Sequence, residues 1–224
     1  MEINYQIIYS DRKTITITVE RDCSIIVHAP DGTDPEKVNA VVDSKRLWLY
    51  DKLKHPQKYS TNDSRKEFVS GETIPYLGRN YRLEIEKGGD EGIRFVGKFV
   101  VTGASAERSA KLFRDWYVQR AKEIIEPRVR RHSRNLGVTY NKVMVSDLKY
   151  RWGSCTPNNN LNFNWRLIKC PMFVIDYVIV HELAHFLEQN HTPHFWNIVR
   201  AQVQEFSKAK LWLKEHGEIL EYHF

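Results

Sequence analysis

Residues 181–196 read HELAHFLEQNHTPHFW, and this stretch contains four histidines and two glutamates. His181 and His185 are four residues apart, so in a helix their side chains lie on one face, one turn apart, and can point at a single metal ion. Glu182 stands beside that face, where a carboxylate can activate a water without binding the metal. The spacing H-E-x-x-H therefore predicts a metal centre on a helix.

The helix that carries this motif is predicted to be buried. From Phe173 to Leu187 almost every residue is apolar except Asp176 and the three motif residues. A helix that is apolar on all sides packs inside a protein. Two imidazoles and a carboxylate are costly to bury unless a partner satisfies them, and a shared metal ion is such a partner.

His191 is the expected third ligand, provided that the helix ends before it. It follows His185 by six residues, which in a continuing helix is about 240° around the axis and faces away from the site. Asn190 suits the left-handed conformation of the residue that ends a helix. Thr192 and Pro193 are typical of the N-cap and first residue of a new helix. The chain is therefore predicted to turn a corner that directs His191 back to the site.

Three other side chains are alternatives for this role. His194 falls in the first turn of the new helix, where a supporting or surface role is its other interpretation, and Glu205 lies further along. Glu188 follows His185 by about one turn and is expected to orient rather than bind. The spacing also matches the metzincin pattern H-E-x-x-H-x-x-G-x-x-H. Glu188 occupies its glycine position, however, and no methionine follows His191 to form a Met-turn, so we reject that assignment.

Residues 1–103 are predicted to form a β-rich domain. Apolar and polar residues alternate with period two over residues 14–19, and several other short segments bounded by polar breaks or glycine turns also indicate strands. These segments are residues 14–19 and 24–29, the two sides of a turn at residues 78–80, and the end of residues 86–103. One helix interrupts them, with Asp34 as its N-cap and Pro35 at its first position.

Residues 104–224 are predicted to form the catalytic domain, because apolar residues then recur at helical spacing. A long helix is expected from about residue 106, with Pro127 as a kink or an end and Gly137 as its close. Residues 147–168 are predicted to form a β-hairpin. The fold class is therefore α+β, with a β-rich half followed by a helical catalytic core that has a hairpin at its edge.

The composition is that of an ordinary globular protein. The 224 residues are 42% hydrophobic and 12% aromatic, and 34 basic against 28 acidic side chains give a net charge of +6. The chain shows neither a membrane-length apolar run nor a signal peptide, which predicts a cytoplasmic protein without a membrane partner. Three cysteines without a C-x-x-C pair argue against disulfides and a cysteine-rich zinc site. The sequence does not predict the oligomeric state.

Two basic segments are candidates for contact with nucleic acid. They are residues 128–135, which read RVRRHSRN, and the lysines between residues 208 and 214. Clustered Lys and Arg side chains can neutralise phosphates. A solvated helix face has the same composition and is the alternative interpretation. The sequence therefore allows nucleic acid as a partner besides a peptide or protein substrate.

Three segments together resemble a known family. They read RWGSC at residues 151–155, DYVIVHELAH at residues 176–185 and NHTPHFW at residues 190–196. Their combination resembles the YgjP-like metallopeptidase family, whose members are described as metal-dependent hydrolases. More distantly, the corner NHTPHF is similar to that of SprT-type and WLM-type proteases, which act on protein crosslinked to DNA.

The resemblance implies a zinc-dependent hydrolase with a zincin-like core. By position, it implies that His181, His185 and His191 hold one zinc ion per chain and that Glu182 is the general base. Such an enzyme also needs an edge strand to hold an extended substrate by its backbone, and the hairpin at residues 147–168 is the candidate.

Four residues are predicted to contact the substrate: Arg151, Gly153, Asn164 and His194. Gly153 would let a peptide approach closely, and Arg151 and Asn164 would bind its polar groups. Arg151 can equally form an internal salt bridge, and an Asn on a strand can equally bridge neighbouring backbone. Arg151, His194 and Tyr150 are the candidates for stabilising an oxyanion.

Other functions remain as alternatives to a metallopeptidase. Zinc also suits the hydrolysis of a nucleotide or other phosphate compound, although the sequence has neither a glycine-rich phosphate loop nor a carboxylate cluster for magnesium. The basic segments suggest another alternative function, that of a DNA-associated protein that cleaves DNA-bound protein. A cysteine hydrolase based on Cys155 has no support beyond its neighbour Ser154, and a small buried Cys is the usual outcome.

Overall fold

The structure, a computed structural model, describes residues 3–19, 24–53, 67–148 and 151–217. It is α+β, with most of its strands in the first half and most of its helical residues after them, which confirms the predicted fold class. The chain divides into two compact units, residues 1–64 and 65–224. This division precedes the boundary predicted after residue 103, because the strands between residues 73 and 102 share a core with the helices that follow.

The first unit is a three-stranded sheet with two helices. The strand order is β1-β3-β2, with β1 parallel and β2 antiparallel to β3. The side chain of Asp34 caps the first helix as predicted, since its Oδ1 accepts the N–H of Glu36 at 2.9 Å. The first strand and second helix were not predicted. The elements are β1 (Gln6–Ser10), β2 (Thr16–Val19), β3 (Ile25–Pro30), α1 (Pro35–Ser44) and α2 (Arg46–Leu53).

The second unit begins with a four-stranded sheet of order β4-β5-β7-β6. The segment 86–103 forms two strands rather than the one predicted, because a glycine turn on each side of Gly92–Phe95 creates a separate edge strand. Aromatic rings from this sheet, including Phe99, pack on rings of the long helix, including Phe113 at a centroid distance of 5.3 Å. The strands are β4 (Thr73–Tyr76), β5 (Arg79–Glu86), β6 (Gly92–Phe95) and β7 (Phe99–Thr102).

The long helix α3 spans Ala106–Leu136, close to its predicted range. Ser105 caps its start, and Gly137 ends it in the left-handed conformation with φ 67°. Pro127 does not end the helix, which continues for more than two turns beyond it. The burial of one face explains this continuity, since packing can outweigh the hydrogen bond that a proline removes.

A second, three-stranded sheet of order β8-β10-β9 follows α3 and leaves β9 at an edge. The antiparallel pair β9–β10 is the predicted hairpin, and β8 adds parallel to β10. The predicted alternation does not continue to residue 168, because a fully buried 3-10 helix, Trp165–Lys169, replaces the end of the strand. The strands are β8 (Lys142–Ser146), β9 (Gly153–Cys155) and β10 (Asn160–Asn164).

Three helices complete the second unit: α4 (Met172–Ala184), α5 (Pro193–Gln202) and α6 (Phe206–Glu215). Most of α4 is buried, as its apolar sequence predicts. Its start is held by the turn between β4 and β5, where the N–H groups of Leu77 and Gly78 each donate to the preceding 3-10 helix at 2.9 Å. Gly78 has φ +78° and a Cβ there would lie 2.6 Å from Pro171 Cγ, so only glycine suits this contact.

An ion-pair network ties α4 to α3. Both carboxylate oxygens of Asp176 lie 2.7 Å from Arg128 Nη1, and Oδ1 also lies 3.0 Å from His132 Nε2 and 3.3 Å from Arg131. Burial alone would raise the pKa of Asp176, but hydrogen bonds from His132 and Arg128 outweigh it and lower the pKa. Part of the basic segment 128–135 therefore faces the protein rather than a nucleic acid.

Candidate metal centre

The metal-binding motif occupies the last turn of α4. His181 and His185 have ring centroids 5.0 Å apart, so the four-residue spacing brings both imidazoles to one place. The helix ends at Ala184, with His185 as its C-cap residue. It therefore ends earlier than predicted, and Asn190 does not adopt the left-handed conformation expected of it. A short turn after His185 provides the helix stop instead.

The predicted corner brings His191 back to the site. Thr192 is the N-cap of α5, where its Oγ1 accepts the N–H of Phe195 at 3.3 Å, and Pro193 takes the first helical position. The Nε2 atoms of His191 and His181 lie 3.1 Å apart. Nitrogen atoms of all three histidines lie within 4.8 Å of one another.

The chemistry of these imidazoles, and the distance between two of them, fit a zinc ion. Zn–N bonds of about 2.0–2.1 Å in a tetrahedron separate two ligand nitrogens by roughly 3.3 Å, close to the 3.1 Å between His181 and His191. The Nδ1 of His185 lies 3.3 Å from the carbonyl oxygen of Glu188, to which it can donate so that Nε2 faces the site. Burial, and then the neighbouring histidines, lower the pKa of His181 to about 3, which keeps it in the neutral form that binds metals.

Two aromatic residues outside the predicted site, Phe195 and Trp196, pack against the imidazoles. Phe195 is fully buried, and its ring centroid lies 4.6–5.0 Å from those of all three histidines. Trp196 stacks on His191 at 5.6 Å. The apolar residues at helical spacing that begin directly after the corner are the signal that could have identified them, because the apolar face of an amphipathic helix packs against the core.

Glu182 is buried beside the imidazoles and lies against strand β9. Only 8% of the residue is exposed. Burial raises its pKa to about 7, although Arg151 and a hydrogen bond from the backbone of Cys155 lower it. A Cβ on Gly153 would lie 2.8 Å from Cγ and 3.0 Å from Oε1 of Glu182. The absence of a side chain at Gly153 thus leaves the space that the carboxylate occupies. The sequence predicts only a contact between Gly153 and a peptide, and not this role.

Asn164 does not face a substrate. It is fully buried; its Nδ2 donates to the carbonyl oxygens of Leu148 and Arg151 at 2.7 and 3.2 Å, and its Oδ1 accepts the N–H of Arg166 at 3.0 Å. These bonds complete the loop between β8 and β9, so the alternative that this Asn bridges neighbouring backbone is the one that the structure supports.

The remaining candidates take different positions. Arg151 is exposed and close enough to influence Glu182. His194 is exposed and lies outside the cluster of imidazoles. Glu205 precedes α6 and lies 3.8 Å from Lys208, away from that cluster. Tyr150 lies outside the described residues.

The thiol of Cys155 is poorly suited to act as a nucleophile. Burial and the nearby charge of Glu182 both raise its pKa. A raised pKa keeps the sulfur protonated at neutral pH, whereas a nucleophilic cysteine needs its thiolate. The raised pKa of the Cys155 thiol therefore does not favour a cysteine hydrolase.

Among the described residues, no helix is both long and apolar enough to cross a membrane.

Comparison with known proteins identifies one family. A family model described as "YgjP-like, metallopeptidase domain" matches residues 13–216. None of the curated proteins compared with the chain matches it. Among solved structures, the metallopeptidase zymogen jannalysin of Methanocaldococcus jannaschii is similar at 21% identity, over 39% of this chain and 94% of that one, with a TM-score of 0.34.

Proposed function

Because the chain belongs to the YgjP-like metallopeptidase family, we propose that it is a zinc-dependent peptidase of the H-E-x-x-H type, with a peptide or protein as its substrate. His181, His185 and His191 would hold one zinc ion, and Glu182 is the general base. The convergence of three imidazoles beside a buried glutamate carries this proposal. The cytoplasmic location expected from the sequence stays a prediction.

The three imidazoles leave the charge of a bound ion uncompensated, because they are neutral ligands. Zinc held by them supplies Lewis acidity, which lowers the pKa of water towards neutrality and polarises a carbonyl group. The packing of Phe195 against all three rings limits their rotation, so the ligands stay aimed at one point.

Glu182 moves the proton in the proposed reaction. As a carboxylate it takes a proton from the attacking water, and as a carboxylic acid it gives that proton to the departing amine nitrogen. A pKa of about 7, raised by burial, suits both steps near neutral pH. The backbone of Cys155 lies close enough to favour the ionised form of this carboxylate.

Strand β9 offers an edge on which a peptide can lie extended. Trp152 O and Thr156 N pair with β10 at 2.8 and 3.0 Å. Backbone groups of an antiparallel strand alternate in direction, so those of Gly153 point away from β10, on the side where none of the described strands pairs with β9. A peptide that adds there by strand pairing would pass beside Glu182. This supports a peptide substrate over a small phosphate compound.

The test combines metal analysis with hydrolysis of a fluorescein-labelled unfolded protein. We expect about one zinc per chain, lost in His181→Ala and in His191→Ala but kept in His194→Ala and in Glu182→Gln. The Glu182→Gln variant should bind zinc and lose hydrolysis. Full zinc in His191→Ala together with loss in His194→Ala would contradict the ligand assignment, and an active Glu182→Gln variant would contradict the base.

A further inference from the structure

An open groove of about 530 Å³ lies beside the metal centre, between α5 and α6. Its walls carry two aromatic and two cationic side chains, together with small polar ones. The residues that matter here are Trp196, Asn197 and Arg200 from α5 and Phe206, Ser207 and Lys210 from α6. A volume of this size is typical of sites that bind a small group or a few side chains.

The groove is continuous with the metal ligands through one tryptophan. The ring of Trp196 stacks on His191 at a centroid distance of 5.6 Å, and on Phe206 at 5.8 Å. It therefore contacts a proposed metal ligand and lines the groove at once. A substrate whose reacting bond lies at the metal centre would reach the groove with a neighbouring part of its chain.

The two cations in the groove are exposed and held over aromatic rings. Lys210 Nζ lies 4.3 Å from the centroid of Trp196, and Arg200 Cζ lies 5.6 Å from that of Phe206. Such contacts keep a charged side chain extended without neutralising it. Within the described ranges, no carboxylate lines the groove and neither cation forms an ion pair, whereas the adjacent Lys208 pairs with Glu205 at 3.8 Å.

We propose that this groove is a specificity subsite for a carboxylate side chain, so that the substrate is a peptide with Asp or Glu close to the cleaved bond. The inference rests on the proposed peptidase function and names its substrate class. Arg200 can bind a carboxylate with two parallel hydrogen bonds, and Lys210 adds a second positive charge. Asn197 and Ser207 supply further donors at the rim.

The number of cations in the groove favours an acidic peptide over single-stranded nucleic acid as its ligand. A nucleic-acid strand is bound along several successive phosphates, which requires a continuous track of cations. This groove offers two cations beside a site where β9 is the edge strand of its described sheet, which is the arrangement that an extended peptide needs.

The test measures binding, so it does not depend on finding the natural substrate. The zinc-loaded full chain with Glu182→Gln is titrated into two fluorescein-labelled peptides, an alanine-rich peptide with two glutamates and the same peptide with two glutamines. Fluorescence anisotropy should show roughly tenfold tighter binding of the glutamate peptide. This preference should shrink as sodium chloride is added, because exposed charges are screened.

Two double variants locate the preference. Arg200→Gln with Lys210→Gln should reduce the ratio of the two affinities to about one. Lys122→Gln with Arg130→Gln removes the same charge from exposed positions of α3 and should leave that ratio unchanged. Equal reduction by both pairs would assign the preference to net charge and overturn the subsite.

Two further outcomes would also overturn it. One is equal binding of the two peptides by the unaltered groove. The other is binding of labelled oligo-dT that depends on Arg200 and Lys210, while the glutamate peptide shows no preference; the groove would then bind nucleic acid. Failure of the proposed function is a separate result, because it would appear as absent hydrolysis by the wild-type chain whatever the peptides do.

Discussion

Replacing Gly153 by alanine should disable the enzyme while leaving its metal and its fold in place. The new Cβ would lie 2.8 Å from Cγ, 3.0 Å from Oε1 and 3.2 Å from Cδ of Glu182. Carbon atoms in contact are normally about 3.5–4.0 Å apart, so the Glu182 side chain must withdraw by roughly 1 Å. A displacement of that size at a reacting group costs about 100-fold in rate, and we expect this loss in kcat/KM.

The stability of the Gly153→Ala variant should change little. Gly153 does not adopt a positive φ, so alanine causes no backbone strain there. The clash is with a side chain that can rotate, and the loss in unfolding free energy should lie at or below the low end of the about 1–3 kcal/mol typical of an overpacked core. Zinc content should equal that of the wild type, because the imidazoles are not displaced.

The assay is hydrolysis of a labelled unfolded protein, with zinc content and urea unfolding measured on the same preparations. Gly92→Ala is the matched control, since a Cβ there meets only Thr102 Oγ1 at 3.8 Å, an ordinary contact. In a Glu182→Gln background, Gly153→Ala should add no further loss, because both changes act through one carboxylate. Unchanged kcat/KM in Gly153→Ala would refute the reasoning, as would a variant that loses zinc.

Two further predictions concern the pH profile and the link between α3 and α4. Glu182 must be ionised to accept a proton, and burial raises its pKa to about 7, so kcat/KM should fall as the pH drops below about 7. Arg151 lowers that pKa, so Arg151→Gln should move the acidic limb of the profile to higher pH and Arg151→Lys should restore it; a limb that stays in place would contradict the assigned contact. Asp176→Asn should reduce the unfolding free energy by about 2 kcal/mol, below the 3–5 kcal/mol of a fully buried pair because these side chains are 20–25% exposed. Urea unfolding tests this against the exposed pair Arg94–Glu86, where Arg94→Gln should cost at most about 1 kcal/mol, and an equal loss in the two variants would argue against a special role for Asp176.

Much of the candidate site could be predicted because its geometry is local. The spacing of His181 and His185 defines one helix face, and Thr192 with Pro193 marks the start of the next helix within the same sixteen residues. These signals depend on backbone geometry and capping alone. The position of His191 predicts that the helix ends before it, but it does not predict how the helix ends. The stop follows from a turn after His185 rather than from a left-handed Asn190.

The parts that could not be predicted depend on contacts between distant segments. Asn164 was assigned to substrate binding, yet its amide bonds to Leu148 and Arg151 in a loop whose path the sequence does not reveal. The parallel pairing of β8 with β10 joins segments that a strand pattern alone cannot match. The relation of Gly153 to Glu182 likewise appears only when β9 lies on α4.

The turn at Leu77 and Gly78 limits how the chain can be shortened. A fragment that began at residue 104 would lack the two donors to the 3-10 helix and the contact with Pro171 at the start of α4. It would also uncover Phe113, which in the intact chain stacks on Phe68 at 5.4 Å. A minimal catalytic fragment, or a graft of this active site into another protein, therefore has to begin upstream of Phe68.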